Sequence, residues 1–137
     1  MKKILILLTI FGLMSCNLNE SFKGFIQDND EKSEIIVKLA DSYLAGNFDM
    51  AKDYFTPDGK HFFNNLEFDV DGIIDGYNSH SLIFKDIKHN DREVYTATFT
   101  DGTVETFHDF DWSATSILTG KEYSYPCHCR WVWVEDK

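Results

Sequence analysis

After an apolar start, two hydrophobic periods divide this chain, a helical one before residue 84 and an alternating one after it. In "EKSEIIVKLADSYLAGNFDMAKDYF", Ile36, Leu39, Ala40, Tyr43 and Leu44 fall on one stripe, the spacing of an amphipathic helix. Gly46 and Asn47 supply the left-handed residues that end it. Asp49 then caps a short second helix that buries Ala51, Tyr54 and Phe55. "TPDG" is a turn, because proline presets φ and glycine accepts a positive one. "KHFFNNLEF" predicts one short strand. "DVDGIIDGYNSHSLIF" predicts a third helix capped by Asp69 or Asp71 and carrying Ile73, Ile74, Tyr77 and His80, although each of its two glycines costs about 1 kcal/mol. Further on, "REVYTATFTDGTVETFHDFDWSAT" is two strands around Asp101-Gly102. "SILTGKEYSYPCHCRWVWV" is a second hairpin around Thr119-Gly120. Helices followed by antiparallel strands give an α+β fold with helices on one face of a sheet.

Alternation along a strand assigns the faces. From 107 to 114, His108, Phe110, Trp112 and Ala114 share the more apolar face, and Phe107, Asp109, Asp111 and Ser113 share the other. On the last strand Tyr125, Cys127, Cys129, Trp131 and Trp133 oppose Pro126, His128, Arg130, Val132 and Val134, and the aromatic set is expected inside. Cys127 and Cys129 therefore point into the wall while His128 points away, so the Cys-His-Cys run does not converge on a metal. A Cys127–Cys129 disulfide suits an oxidising compartment. Residues i and i+2 on a strand, however, lie near the upper limit of Cα separation for a bridge, and two thiols packed beside tryptophans are the plainer expectation.

The first residues, "MKKILILLTIFGLMSC", have the basic start and short apolar run of a signal peptide, too short to span a bilayer as a helix. "LMSC" (Leu13 to Cys16) resembles the lipobox of bacterial lipoproteins. That resemblance implies cleavage after residue 15 and acylation of Cys16, with several acyl chains giving stable anchoring. The chain then divides into a signal peptide (1–15), a lipidated cysteine with a polar tether (16–32) and one α+β domain (33–137). It implies a bacterial cell envelope, with the bilayer as a partner through Cys16. Asn17 is not the aspartate that retains some lipoproteins at the inner membrane, which favours the outer one. Loss of residues 1–15 leaves 11 basic against 23 acidic residues, a charge of −12. Such a surface is repelled by phosphate backbones, so no nucleic-acid partner is expected.

The order of elements, with "GNFDMAKDYFTPDGKHFF" early and "WSATSILTGKEY…RWVWVEDK" late, resembles the nuclear transport factor 2-like superfamily, and within it the SnoaL-like, polyketide cyclase-like branch. The resemblance implies a cone, in which a strongly curved antiparallel sheet wraps around N-terminal helices and leaves a pocket open at one end. In that family a further strand usually follows; here the chain stops at Glu135-Asp136-Lys137, so the form is truncated or the edge is covered by something else. Related epoxide hydrolases place an acid and an arginine inside the cone, at positions that match Trp112 and Phe110, and neither role carries over to these apolar residues.

The expected pocket is lined by Tyr54, His61, His108, Phe110, Trp112, Cys129 and Trp131, a wall suited to a flat apolar or aromatic ligand. Asp109 and Asp111, the paired carboxylates that acid–base chemistry would want, are expected on the outer face. No nucleophile elbow, glycine-rich phosphate loop or paired-helix metal motif occurs, and histidines 61, 80, 89 and 108 lack ligand spacing, so no cofactor or metal is expected. The leading expectation is a non-catalytic, membrane-anchored domain that binds a small molecule. One alternative is a cyclase- or isomerase-type enzyme using His108 as base, although a lone histidine among aromatics is more often a core residue. Another is an interaction module that dimerises through the outer face bearing Asp109, Asp111, His128 and Arg130.

Overall fold

The computed structural model describes residues 24–135; the signal segment 1–15 and Cys16 lie outside them. The order is β1 (Gly24–Gln27), α1 (Glu31–Leu44), a 3-10 turn (Asp49–Asp53), β2 (His61–Phe63), β3 (Leu66–Phe68), α2 (Val70–Ile83), β4 (Phe84–Phe99), β5 (Val104–Ser116) and β6 (Glu122–Trp133). The class is α+β, with a four-stranded antiparallel sheet ordered β1-β4-β5-β6 and a small β2-β3 hairpin.

Three expectations change. Residues 24–27, assigned to the tether, pair with Thr96–Phe99 as an edge strand. The second helix is a 3-10 turn, too short to lay down an α-helical stripe. "KHFFNNLEF" is two strands, because Asn64 takes φ 54° and reverses the chain, a conformation asparagine tolerates better than most residues.

Helix α1 begins at Asp30, whose carboxylate accepts from the Lys32 and Ser33 amides at 2.9 and 3.1 Å, and α2 begins at Asp69, which accepts from Gly72 at 2.8 Å. Such caps are each worth about 1 kcal/mol. Ile36, Leu39 and Tyr43 of α1, Phe48 and Ala51 beyond it, and Ile73 and Ile74 of α2 form the core. Ile87, Val94, Trp112, Trp131 and Trp133 of the sheet pack against it. Both long hairpins turn where expected, with Gly102 at φ 89° and Gly120 at φ 68°, values that suit glycine.

Curvature comes from β4. Its register against β5 slips by one residue between Lys85 and Lys88 and again between Asn90 and Glu93, with Asp86 and Asp91 in the left-handed region at φ 55° and 50°. Each extra residue is a bulge that bends the strand and re-aims the side chains beyond it. Phe84, Ile87, His89, Val94 and Thr96 are thereby all turned toward the helices, although their spacing is not a strict two.

Candidate functional site: the aromatic concave face

The helices pack on the face bearing Thr106, His108, Phe110, Trp112 and Ala114 of β5 and Cys127, Cys129, Trp131 and Trp133 of β6, the one expected inside. Asp109 lies on the opposite face. There it meets His128 Nδ1 at 3.0 Å and accepts from the Tyr95 hydroxyl at 3.3 Å. Arg130 sits 3.7 Å from Glu105 on that face.

Two tyrosines carry hydrogen bonds from the helices, Tyr43 to the concave face and Tyr77 to the β2-β3 hairpin. The indole of Trp112 donates to Tyr43 Oη at 2.8 Å, and Tyr43 Oη lies 2.8 Å from His80 Nδ1. With the oxygen accepting from the indole, its single proton is free for the imidazole. Tyr77 Oη makes a longer contact, 3.2 Å, with His61 Nε2. Burial pushes the Tyr43 hydroxyl up to about 12, against the opposing effect of the Trp112 bond. Tyr77 rises too, through burial and then the neighbouring Cys129. Burial lowers His61 and His80. The tyrosines stay protonated and these imidazoles are biased to the neutral form.

His89 stacks between Phe110, with ring centroids 3.8 Å apart, and Tyr43 at 5.3 Å. His108, only 4% exposed, lies 5.3 Å from His89 and 4.3 Å from Phe110. Burial, helped by the charge of the other imidazole and of Arg92, lowers His89 to about 3. Burial and Arg92 lower His108 to about 4. Arg92 is itself held by Asp41 at 2.6 Å. Across β5 and β6, Cys129 faces His108 in register, and burial lifts its thiol to about 11. Cys127 and Cys129 are free, half-buried thiols.

Six of the seven expected lining residues gather on this surface. His108 is one of the imidazole pair, Phe110 and Cys129 flank it, Trp112 bonds to Tyr43, and Trp131 packs 5.8 Å from Phe55 and 6.3 Å from His61. Tyr54 instead closes the 3-10 turn and packs against the helix core. Tyr43, Tyr77, His80 and His89 join the site without having been expected there. Tyr77 and His80, three apart on one helix, are a usable signal. His89 is hidden by the bulges.

Three buried side-chain nitrogens here have no hydrogen-bond partner among the described residues: His89 Nδ1, His108 Nε2 and Trp131 Nε1. No group of three or more His, Cys, Asp or Glu side chains among those residues is placed to hold a metal ion. Surface hollows of about 230 and 620 Å³ lie beside β1, lined by residues such as Asp30, Lys32, Arg92 and Tyr95, and touch none of the seven. No described helix is long and apolar enough to cross a membrane. Comparison of the chain with protein-family models, with curated proteins and with solved structures gives no match.

Proposed function

We propose that this is a lipid-anchored protein of a bacterial envelope, held to the bilayer through Cys16. Its curved sheet and helices form a nuclear transport factor 2-like cone that binds a small apolar or aromatic molecule without transforming it. The observation that carries the reading is the concave face itself, walled by rings and left with three buried nitrogens unpartnered among the described residues. Native proteins satisfy buried polar groups, and a cluster of exceptions on one apolar surface suits a face completed by a ligand. Binding is favoured over catalysis because neither His89 nor His108 is hydrogen-bonded to a carboxylate among the described residues, while Asp109 stands on the other face. A base with pKa of about 3 or 4 is weak at neutral pH.

Native mass spectrometry of the full chain purified from its own envelope tests both halves. The reading expects acyl mass on a chain beginning at Cys16 and a reproducible non-covalent small-molecule adduct. An unacylated chain removes the anchor, and a bare chain removes the ligand.

The outer face favours a second, compatible reading, self-association. Tyr95 and Phe107 stack there with centroids 5.3 Å apart, flanked by the Asp109–His128 and Glu105–Arg130 pairs, which mix both signs of charge on one surface. A two-fold axis could match that pattern to itself. Sedimentation showing only monomer at high concentration would remove it.

A further inference from the structure

The outer face of the sheet is apolar at the end where the chain enters it. Ile26, Ala97, Glu105 and Val132 lie opposite one another in register across β1, β4, β5 and β6. Alternation along β5 puts this row on the face of Asp109, away from the helices. Phe99, two residues on from Ala97, falls on that face as well, and Val134 follows directly after β6. Ile26, Val132 and Val134 are each more than half exposed. Glu105, the row's single charge, is paired at 3.7 Å with Arg130, which lies in the next row away from Gly24. A second exposed apolar group sits at the opposite end of the sheet. There the Ile117 amide donates to the Ile83 carbonyl at 3.0 Å, and Leu118 is 93% exposed. Such patches mark contact with a protein or a membrane.

The stretch of sequence before β1 decides between the two ends. Eight residues separate Cys16 from Gly24, a reach of at most about 28 Å. Gly24 pairs with Phe99 at the end of β4. Leu118 lies past the far end of β5, thirteen residues and about 40 Å along the sheet. The helices occupy the concave side, so the outer face is convex, and a convex face meets a flat surface in one region only. A bilayer that holds Cys16 is met by the end bearing Ile26. A short tether gives a roughly millimolar effective concentration, so a contact too weak to hold a free domain is sufficient here.

We propose that this end of the convex face rests on the bilayer that anchors Cys16, with Ile26, Phe99, Val132 and Val134 at the boundary between headgroups and acyl chains. This rests on the lipid-anchor reading above. The contact is apolar and uses neutral lipid, because the chain carries a net charge of −10 and anionic headgroups repel it.

The test uses the full chain made in its own cells and moved into phosphatidylcholine nanodiscs, one copy per disc. Methyl groups of Ile, Leu and Val carry carbon-13, and a fraction of the lipid headgroups carries a nitroxide. Mass spectrometry of the same sample reads the acyl groups. The nitroxide should erase the methyl signals of Ile26, Val132 and Val134 while those of Ile117 and Leu118 persist. Ile26→Ser combined with Val132→Ser should restore the Val134 signal with acylation intact. Persistence of all five signals on an acylated chain would overturn the proposal and leave the anchor standing. Loss at Ile117 and Leu118 instead would overturn it in favour of the far end. Ile26 and Val132 signals that survive with one copy per disc and shift with two would give the face to a second copy, and the proposal would fail. A chain without acyl mass would remove anchor and contact together. The methyl signals are read on the unmodified protein, so the result does not depend on the double variant folding.

Discussion

On one flank of the concave face, the indole of Trp133 begins a chain of hydrogen bonds that ends on a carboxylate. Trp133 donates to Thr106 at 2.8 Å, Thr106 lies 2.8 Å from Thr96, Thr96 lies 2.9 Å from Ser33, and Ser33 donates to Asp30 at 2.7 Å. Its direction is forced, because the indole only donates, the ionised carboxylate only accepts, and each hydroxyl has one proton to pass on. A strand position away, His89, His108 and Trp131 are buried on the same face with nitrogens unanswered among the described residues. The first set ties β6, β5, β4 and α1 together; the second ties nothing by hydrogen bonds through those nitrogens. The first network serves the stability of the fold; the second leaves three buried nitrogens that contribute no hydrogen bond to it among the described residues.

The comparison is hardest to sustain if the complete network proves dispensable. Thr106, fully buried, is its centre. Thr106→Val keeps the shape, strands the Trp133 N–H and removes the link to Thr96. A buried donor left unpaired costs about 1–3 kcal/mol, so a loss of about 2–3 kcal/mol is expected in urea unfolding. A loss below measurement would mean that the network is ornamental.

Asp30→Ala comes next. It removes the cap of α1 and the acceptor for Ser33, with an expected cost of about 1–2 kcal/mol at neutral pH. Burial alone would raise this carboxyl, but the bonds from the Ser33 hydroxyl and amide and from the Lys32 amide outweigh it and hold the group below its ordinary 3.8. A folded value below the unfolded one means that the stabilisation is complete above pH 3.8 and fades as pH falls through the folded value. The gap between wild type and variant should therefore narrow below that point. A gap independent of pH would show that charge on Asp30 contributes nothing.

Much of the complete half of this comparison, and of the frame that carries it, is legible in the sequence. The helical stripe through Ile36 and Tyr43, the Asp101-Gly102 and Thr119-Gly120 turns, and the inward face of β5 and β6 all follow from local periodicity and turn chemistry. What is not legible depends on residues that meet only in three dimensions. Ser33, Thr96 and Thr106 read as ordinary polar positions, since nothing local says that three hydroxyls will line up. The β4 bulges defeat a period of two, because Phe84 to Ile87 and His89 to Val94 are odd intervals. An Asp in the left-handed region inside each interval is a weak signal beside a strand of sixteen residues. Strand β1 escapes a sequence pattern for a related reason. Four residues, with only two apolar, are too few to show a period, and their pairing with β4 is a long-range fact.

The smallest effect is the most discriminating. His108→Leu replaces a buried imidazole with a side chain of similar volume. If His108 were structural, its loss should cost as much as that of Thr106. Because its Nε2 has no partner among the described residues, the substitution removes an unsatisfied polar atom and loses ring contact with Phe110. These opposing effects should leave stability at neutral pH within about 1 kcal/mol of wild type. The pH dependence sharpens the point. His108 falls from an ordinary 6.5 to about 4, chiefly through burial. Between those values the unfolded chain holds a proton that the folded chain lacks, so wild-type stability drops as pH falls through that window and is unaffected by this group above it. The leucine variant has no such proton to bind. It should gain on wild type steadily from pH 6.5 toward 4, with His89 still contributing its own share. If the variant instead loses ground on acidification, or collapses at neutral pH as the Thr106 variant should, then His108 belongs with the hydroxyl chain and the concave face is a completed core.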